Sequence, residues 1–433
     1  MAQRDDLPPL EQLCEAVEEA AGSQPPKKGR ERSKFTISQA STSYQPIPKS
    51  FLFTTGNGEM GQLGLGVHYL ETKYPMWVKM DHEIIGIHAG LNHSVCVSDK
   101  GVVLTFGHNG FGQLGRLLDA DNTKFSPGVV QLPGKAIQVT AGECHTVALL
   151  DNGHVYAWGD FKDSYGTIGL TLGGQQALPV LMFSKEPVVK IASGFNHFVA
   201  LTKSGVVCTI GCSEYGQLGR IPDHSATRYC QNSMEKHLAL YPIKIDNDLK
   251  FENIWAGGDT TLAKVKDSND VYAWGYNQFR QLGIADPQKI YMPTVSPDFS
   301  QYSWKNIRCT LERSIGLDIN KKVYVLGRQE GGRLGLGYNI RSTPMLTSIP
   351  CLEGLGVSEI GIGADCSFAA TDEMGLIVWG TGSSGELGTG DIADRLNPFA
   401  VSSRALENKR IVQMSGGVRH SMILAFYVDR PNM

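Results

Sequence analysis

Short strand-like runs of apolar residues, each ending in a bulky side chain and a glycine, recur along this chain at a nearly fixed distance. VYAWG at Val155–Gly159, VYAWG at Val271–Gly275 and LIVWG at Leu376–Gly380 are the clearest copies. The glycines fall at Gly56, Gly107, Gly159, Gly211, Gly275, Gly327 and Gly380, in steps of 51, 52, 52, 64, 52 and 53 residues. Each is followed by a glycine-bounded turn closing on Leu-Gly or Ile-Gly, and a period this regular marks a repeat architecture. A second element runs in phase, with His93, His145, His197 and His420 three residues after Gly90, Gly142, Gly194 and Gly417. Degenerate copies sit at Gly257 and Gly363, and Thr310 replaces the glycine in one. The alternating runs that follow, such as Thr146–Leu150 and Met422–Phe426, predict half-buried strands. Turns such as Asp151-Asn152-Gly153 predict hairpins into the next VYAWG-type strand.

The seventh copy lacks this partner, while the repeats begin with an orphan strand at Phe51–Thr55. Pairing that strand with His420–Asp429 would close a ring and leave no open sheet edge. About four strands per unit and seven units predict an all-β fold, a closed seven-bladed β-propeller over 51–429. A solenoid would need capping repeats, and neither end reads as one. Residues 1–50 and 430–433 read as tails.

Composition narrows the classes. A net charge of −3 over 433 residues excludes a uniformly basic nucleic-acid binder, though not a local patch. The nine cysteines form no CxxC pair and fall mostly in strand-like runs (Cys96, Cys208, Cys366), as buried free thiols do. With no bilayer-length apolar run and no signal-peptide core, the expectation is an intracellular, soluble protein without a membrane partner. Met1–Gly22 carries six acids against one Arg, and Leu10, Leu13, Cys14 and Val17 are spaced for one face of a short helix. Ser23–Ser50 reverses the sign, with six Lys/Arg against one Glu. Its cluster Lys27, Lys28, Arg30, Arg32 and Lys34 has the composition that serves nuclear import or phosphate contact.

Candidate chemistry mostly dissolves against the repeat. Gly56-Asn57-Gly58-Glu59-Met60-Gly61 matches a dinucleotide fingerprint, but Gly64 and Gly66 would break the helix that must follow. The four histidines lie one repeat apart, so they occupy equivalent places around a ring and cannot converge on one metal ion. Trp158, Trp274 and Trp379 share one repeat position and read as core. No metal, cofactor or covalent catalytic constellation is expected. Two stretches break the symmetry: Asp160–Gly169 replaces a short turn, and about a dozen extra residues follow Gly211, including Gly219–Arg228. Loops that interrupt a uniform scaffold are candidates for partner binding.

The Gly-x-x-His-Ser/Thr and Trp-Gly elements resemble the repeats of the RCC1 family (regulator of chromosome condensation) over about seven-eighths of the chain, Val139–Leu149 being a clean instance. Within that family, Phe161-Lys162-Asp163 through Gly166 looks like the β-wedge of the exchange factor for the small GTPase Ran, and Gly211–Arg228 resembles its switchback loop. The resemblance implies a monomeric guanine-nucleotide exchange factor in the nucleus, held on chromatin, which speeds GDP/GTP exchange without covalent chemistry. It places Lys162, Asp163, Ser164 and Tyr165 against Ran, with Glu143, Asn196 and Arg313 at the family's exchange positions. Glu143 keeps an acid there; Asn196 replaces an acid, Arg313 replaces a histidine, and new acids stand at Asp259 and Asp365. It further implies that Arg220 and Arg228 meet the acidic patch of histones H2A–H2B, and that the tail cluster meets nucleosomal DNA and an importin. The alternative is a non-exchanging scaffold for another protein. A tryptophan-based light sensor is disfavoured, since three of only six tryptophans are core positions.

Overall fold

The computed structural model describes residues 50–428, apart from 244, 246–248, 339, 341 and 373–374. The tail positions Lys27, Lys28, Arg30, Arg32 and Lys34, and the segment around Leu10, lie outside the described residues.

Seven four-stranded antiparallel sheets stand as blades around a central axis. Blade 2 is typical: Ala136–Ala141 lies innermost, then His145–Leu150, Val155–Gly159 and the outermost Gln176–Phe183. Blade 1 starts at Ile84 and blade 3 at Val188, and the count continues in chain order. Blade 7 takes its two inner strands from the C-terminal end, Lys409–Gly416 and His420–Tyr427, and its two outer ones from Ser50–Asn57 and Glu71–Val78. The closing pair runs in unbroken register from Ser50 opposite Phe426 to Gly56 opposite His420.

The second strand of each blade differs from its sequence pattern. His145–Leu150 and His197–Thr202 are buried at every position, not at alternate ones. Each blade is covered on both faces by its neighbours, so alternation survives in residue size but not in exposure.

Glycine is required where blades touch. A Cβ on Gly142 would lie 2.1 Å from Cε1 of His145 and 2.5 Å from the carbonyl of Gly194 in the next blade. Backbone bonds cross here, from Glu143 N–H to Phe195 O (2.7 Å) and from Phe195 N–H to Gly258 O (2.7 Å). The histidine completes the joint. His93 Nε2 donates to Thr146 Oγ1 (2.9 Å), whose hydroxyl donates to the carbonyl of Gln113 (2.8 Å). His197 reaches Thr261, and His420 reaches Ser94, by the same relay. Because each hydroxyl spends its proton on a carbonyl, the imidazole proton sits on Nε2. Trp158 Nε1 donates to that same Gln113 carbonyl (2.9 Å) and Trp274 to Gln217 O (3.0 Å), so blade n+1 grips the glycine turn of blade n.

The innermost strands are sheet edges, and side chains satisfy them. Gln138 brackets Ile191 of the next blade, accepting its N–H (2.9 Å) and donating to its carbonyl (2.8 Å). Gln413 does the same to Ile87 (3.0 and 2.7 Å), closing blade 7 onto blade 1.

Burial lowers the pKa of His93, His197 and His420 to about 3, so all three are neutral in the folded protein. The unfolded chain takes up protons below about pH 6.5 and the folded one does not, so this contribution is present above that pH and lost as pH falls. The stability of the parent relative to His197→Gln should therefore shrink by about 1.4 kcal/mol per pH unit below about pH 6.5. Paired denaturant titrations at neutral and mildly acid pH measure it; a constant difference would mean that the imidazole titrates alike in both states.

Candidate partner-binding face

Antiparallel order puts two sets of turns on one face of the ring: those joining first to second strands, and those joining third to fourth. Both symmetry-breaking insertions belong to the second set, in blades 2 and 3. The first is a hairpin in which Lys162–Asp163 pairs with Gly166–Thr167, leaving Ser164 and Tyr165 at the tip. Phe161 is fully buried and packs edge-on to His145 (4.8 Å), and Asp160 accepts the Gly169 N–H (2.8 Å), so the base is fixed to the core. The second insertion is anchored by buried Ile221, Ala226 and Leu238 and carries a 3-10 turn, Asp223–Ser225, and a short α-helix, Ser233–His237.

The structure brings Lys162, Glu143 and Asn196 together. Lys162 Nζ is 2.9 Å from Glu143 Oε1 and 4.1 Å from the centre of the Phe111 ring. Asn196 donates from Nδ2 to Glu143 Oε2 (2.9 Å) and accepts the Lys162 N–H on Oδ1 (2.8 Å). Burial alone would lower the Lys162 pKa, but hydrogen bonding to Glu143, the neighbouring Cys144 and the Glu143 charge together raise it, which keeps the lysine cationic. Asn196 therefore does more than lose a charge: its amide ties the turn of blade 2 to its own turn in blade 3.

Three expected contacts are corrected. Arg313 does not face the partner side: it is 1% exposed and occupies the buried histidine slot of blade 5. Its guanidinium donates to the carbonyls of Gly363 (3.0 Å), Ala364 (2.6 Å) and Cys366 (2.7 Å), doing in longer form what His93 does for blade 1. Arg220 is also unavailable to a histone, being 7% exposed. It donates to Thr209 Oγ1 (3.0 Å), Thr209 O (2.9 Å) and Ala239 O (3.0 Å), and burial pulls its pKa to about 10. The sequence held the clue, because Gly-Gln-Leu-Gly-Arg occurs twice and Arg116 likewise donates to Thr105 O (3.2 Å). Arg228 turns inward, with Nε and Nη2 on the two carboxylate oxygens of Asp163.

Glu214 and Glu312 join the expected acids Asp259 and Asp365 on this face. Glu214 binds the hairpin tip, accepting the Ser164 N–H (2.8 Å) and hydroxyl (2.7 Å). Glu312 pairs with Arg328 (2.7 Å) and with Arg333, which also reaches Asp365 (2.8 Å). Burial, then the charges of Glu143 and Glu214, raise Asp259 to about 7. The acids of the face are thus largely matched by nearby cations or held back from ionising. Among the described residues, no group of three or more His, Cys, Asp or Glu could hold a metal ion.

Arg220→Ala should cost about 2–4 kcal/mol of unfolding free energy, since it strips three bonds from buried acceptors. Equilibrium denaturation measures this, and a loss under about 0.5 kcal/mol, typical of a surface position, would contradict the placement.

The fold is shared with known structures. Prp20p from Saccharomyces cerevisiae, described for its binding to Gsp1p and histones, superposes with a TM-score of 0.79 at 24% identity, covering 89% of this chain and 93% of that one. The same yeast protein bound to Kap60 gives 0.79 at 23% identity, covering 94% and 97%. In sequence, the regulator of chromosome condensation of Homo sapiens is 35% identical over 399 residues, 90% of this chain and 93% of that protein. That of Xenopus laevis is 35% identical over 380 residues, 86% and 89%. The model of the RCC1-like domain matches residues 51–423, and this chain, with its seven blades, belongs to that family.

Proposed function

We propose that this protein is a guanine-nucleotide exchange factor for Ran, acting from chromatin in the nucleus. The observation that carries the reading is the hairpin at Lys162–Thr167, which replaces the short repeat turn of blade 2 and stands beside Glu143 and Asn196 on one face. Similarity to the regulators of chromosome condensation supports it. A rigid projection of this kind favours a GTPase whose nucleotide pocket is open. If the complex with empty GTPase is tighter by some factor, nucleotide affinity falls by the same factor, so GDP leaves and GTP enters. No bond in either nucleotide is broken, and the protein needs no cofactor of its own for that work.

Tyr165, 63% exposed at the tip, is the side chain placed to enter a partner's surface, with Lys162 and Glu143 at the base. Asp163 and Ser164 hold the hairpin's shape instead of facing outward. Because Arg220 and Arg228 are engaged internally, the chromatin part of the proposal rests on the tail cluster Lys27–Lys34, which would supply salt-dependent phosphate contacts and an importin-binding segment. The second reading, a non-exchanging scaffold, draws on the neutral Asn196 and on a Glu143 already matched by Lys162.

Release of fluorescent GDP from Ran separates the two. The purified protein should accelerate release by at least about ten-fold, and replacing the hairpin by the blade 1 turn Asn109-Gly110-Phe111-Gly112-Gln113 should remove most of that gain. Binding to Ran without any acceleration would favour the scaffold.

A further inference from the structure

A hairpin with two residues per strand cannot hold itself together in water. The Lys162–Thr167 hairpin is nevertheless ordered, and the second insertion and the repeat turn just ahead of it supply what it lacks. Arg228 grips both oxygens of Asp163 with Nε (2.5 Å) and Nη2, and Nη2 also donates to Gly166 O (3.0 Å) on the opposite strand. Glu214 takes the backbone and the hydroxyl of Ser164. Tyr229 packs edge-on against Tyr165 at 5.1 Å. The Asp163 side chain is only 3% exposed and lies beneath the guanidinium. The Arg228 side chain, 24% exposed, spends its fork inside the molecule.

We infer that the blade 3 insertion, together with the repeat turn just ahead of it, is a brace for the hairpin, with Arg228 of the insertion and Glu214 of the turn as positioning residues that act through Asp163 and Ser164. This rests on the exchange reading for its consequence, but not for its geometry. The bidentate fork fixes orientation as well as distance, which a lysine at 228 could not do. The two insertions then form one device: the first projects, and the second sets its angle. Losing the brace leaves the ring intact, because the hairpin's base is anchored separately by Phe161 and Asp160. Exchange suffers because the loosened hairpin must be reordered in the step that displaces the nucleotide from the bound GTPase.

Two measurements test this. Hydrogen exchange at the amides of residues 162–167 should quicken by at least about ten-fold in Arg228→Ala, with the blades unchanged. This arm needs no GTPase, and unchanged protection there overturns the brace. In the GDP-release assay, Arg228→Ala should lower kcat by about ten-fold with KM within about two-fold, Arg228→Lys should restore only part, and the swap of Asp163→Arg with Arg228→Asp should recover more than either single change. Normal kcat in a variant whose hairpin amides have lost protection overturns the positioning role. A parent protein that does not speed GDP release refutes the exchange reading instead, and the hydrogen-exchange arm still decides the brace.

Discussion

Everything in this fold depends on how closely neighbouring blades approach at the Gly-x-x-His turn. With no Cβ at Gly90, Gly142, Gly194 or Gly417, one turn can lie against the next and exchange backbone hydrogen bonds with it. The histidine then reaches across to a hydroxyl that is itself bonded to the preceding glycine turn. Three sites are tied by one imidazole: the turn that carries it, the next blade and the loop between them. Arg313 shows that the requirement is a donor of the right reach, not an imidazole as such. In blade 6 the slot holds Cys366, whose Sγ lies 4.0 Å from Ser421 Oγ, a weaker version of the same contact.

Rigidity at this joint positions the open face. Glu143 follows Gly142 directly and Asn196 precedes His197, so both side chains leave backbone held by inter-blade bonds. The Glu143–Asn196–Lys162 cluster is therefore assembled from two blades and one hairpin with little freedom left to each part. A site made this way spends less of its binding energy on ordering its own groups.

The ring, its period and the closing strand pair could be read from the sequence because each is written many times or demanded by an unpaired edge. The partners of individual side chains could not. Arg228 and Asp163 are far apart in the chain, and nothing in the spacing says that one insertion folds onto the other. Arg313 was misplaced because an exposed turn residue and a buried relay residue sit only one position apart, and Glu312, its neighbour, is the one on the face. Arg220 was misplaced for the opposite reason: it looked like part of an insertion, although it is the last residue of an ordinary repeat motif. Repetition identifies structure well, and it identifies function only where the repeat boundary is drawn to the residue.

Blade 7 also has a temporal meaning. Its outer strands, Ser50–Asn57 and Glu71–Val78, are among the first parts of the propeller to leave the ribosome, and their partner His420–Tyr427 is among the last. Until synthesis is nearly finished, Phe51–Thr55 presents an unpaired apolar edge, and no arrangement of blades 1 to 6 can shield it by ring closure. Newborn chains thus pass through an open-ring stage as long as translation itself. A truncation that removes only the last strand would hold the protein in that stage permanently, exposing the first strand and the last blade interface to chaperones or to other open rings.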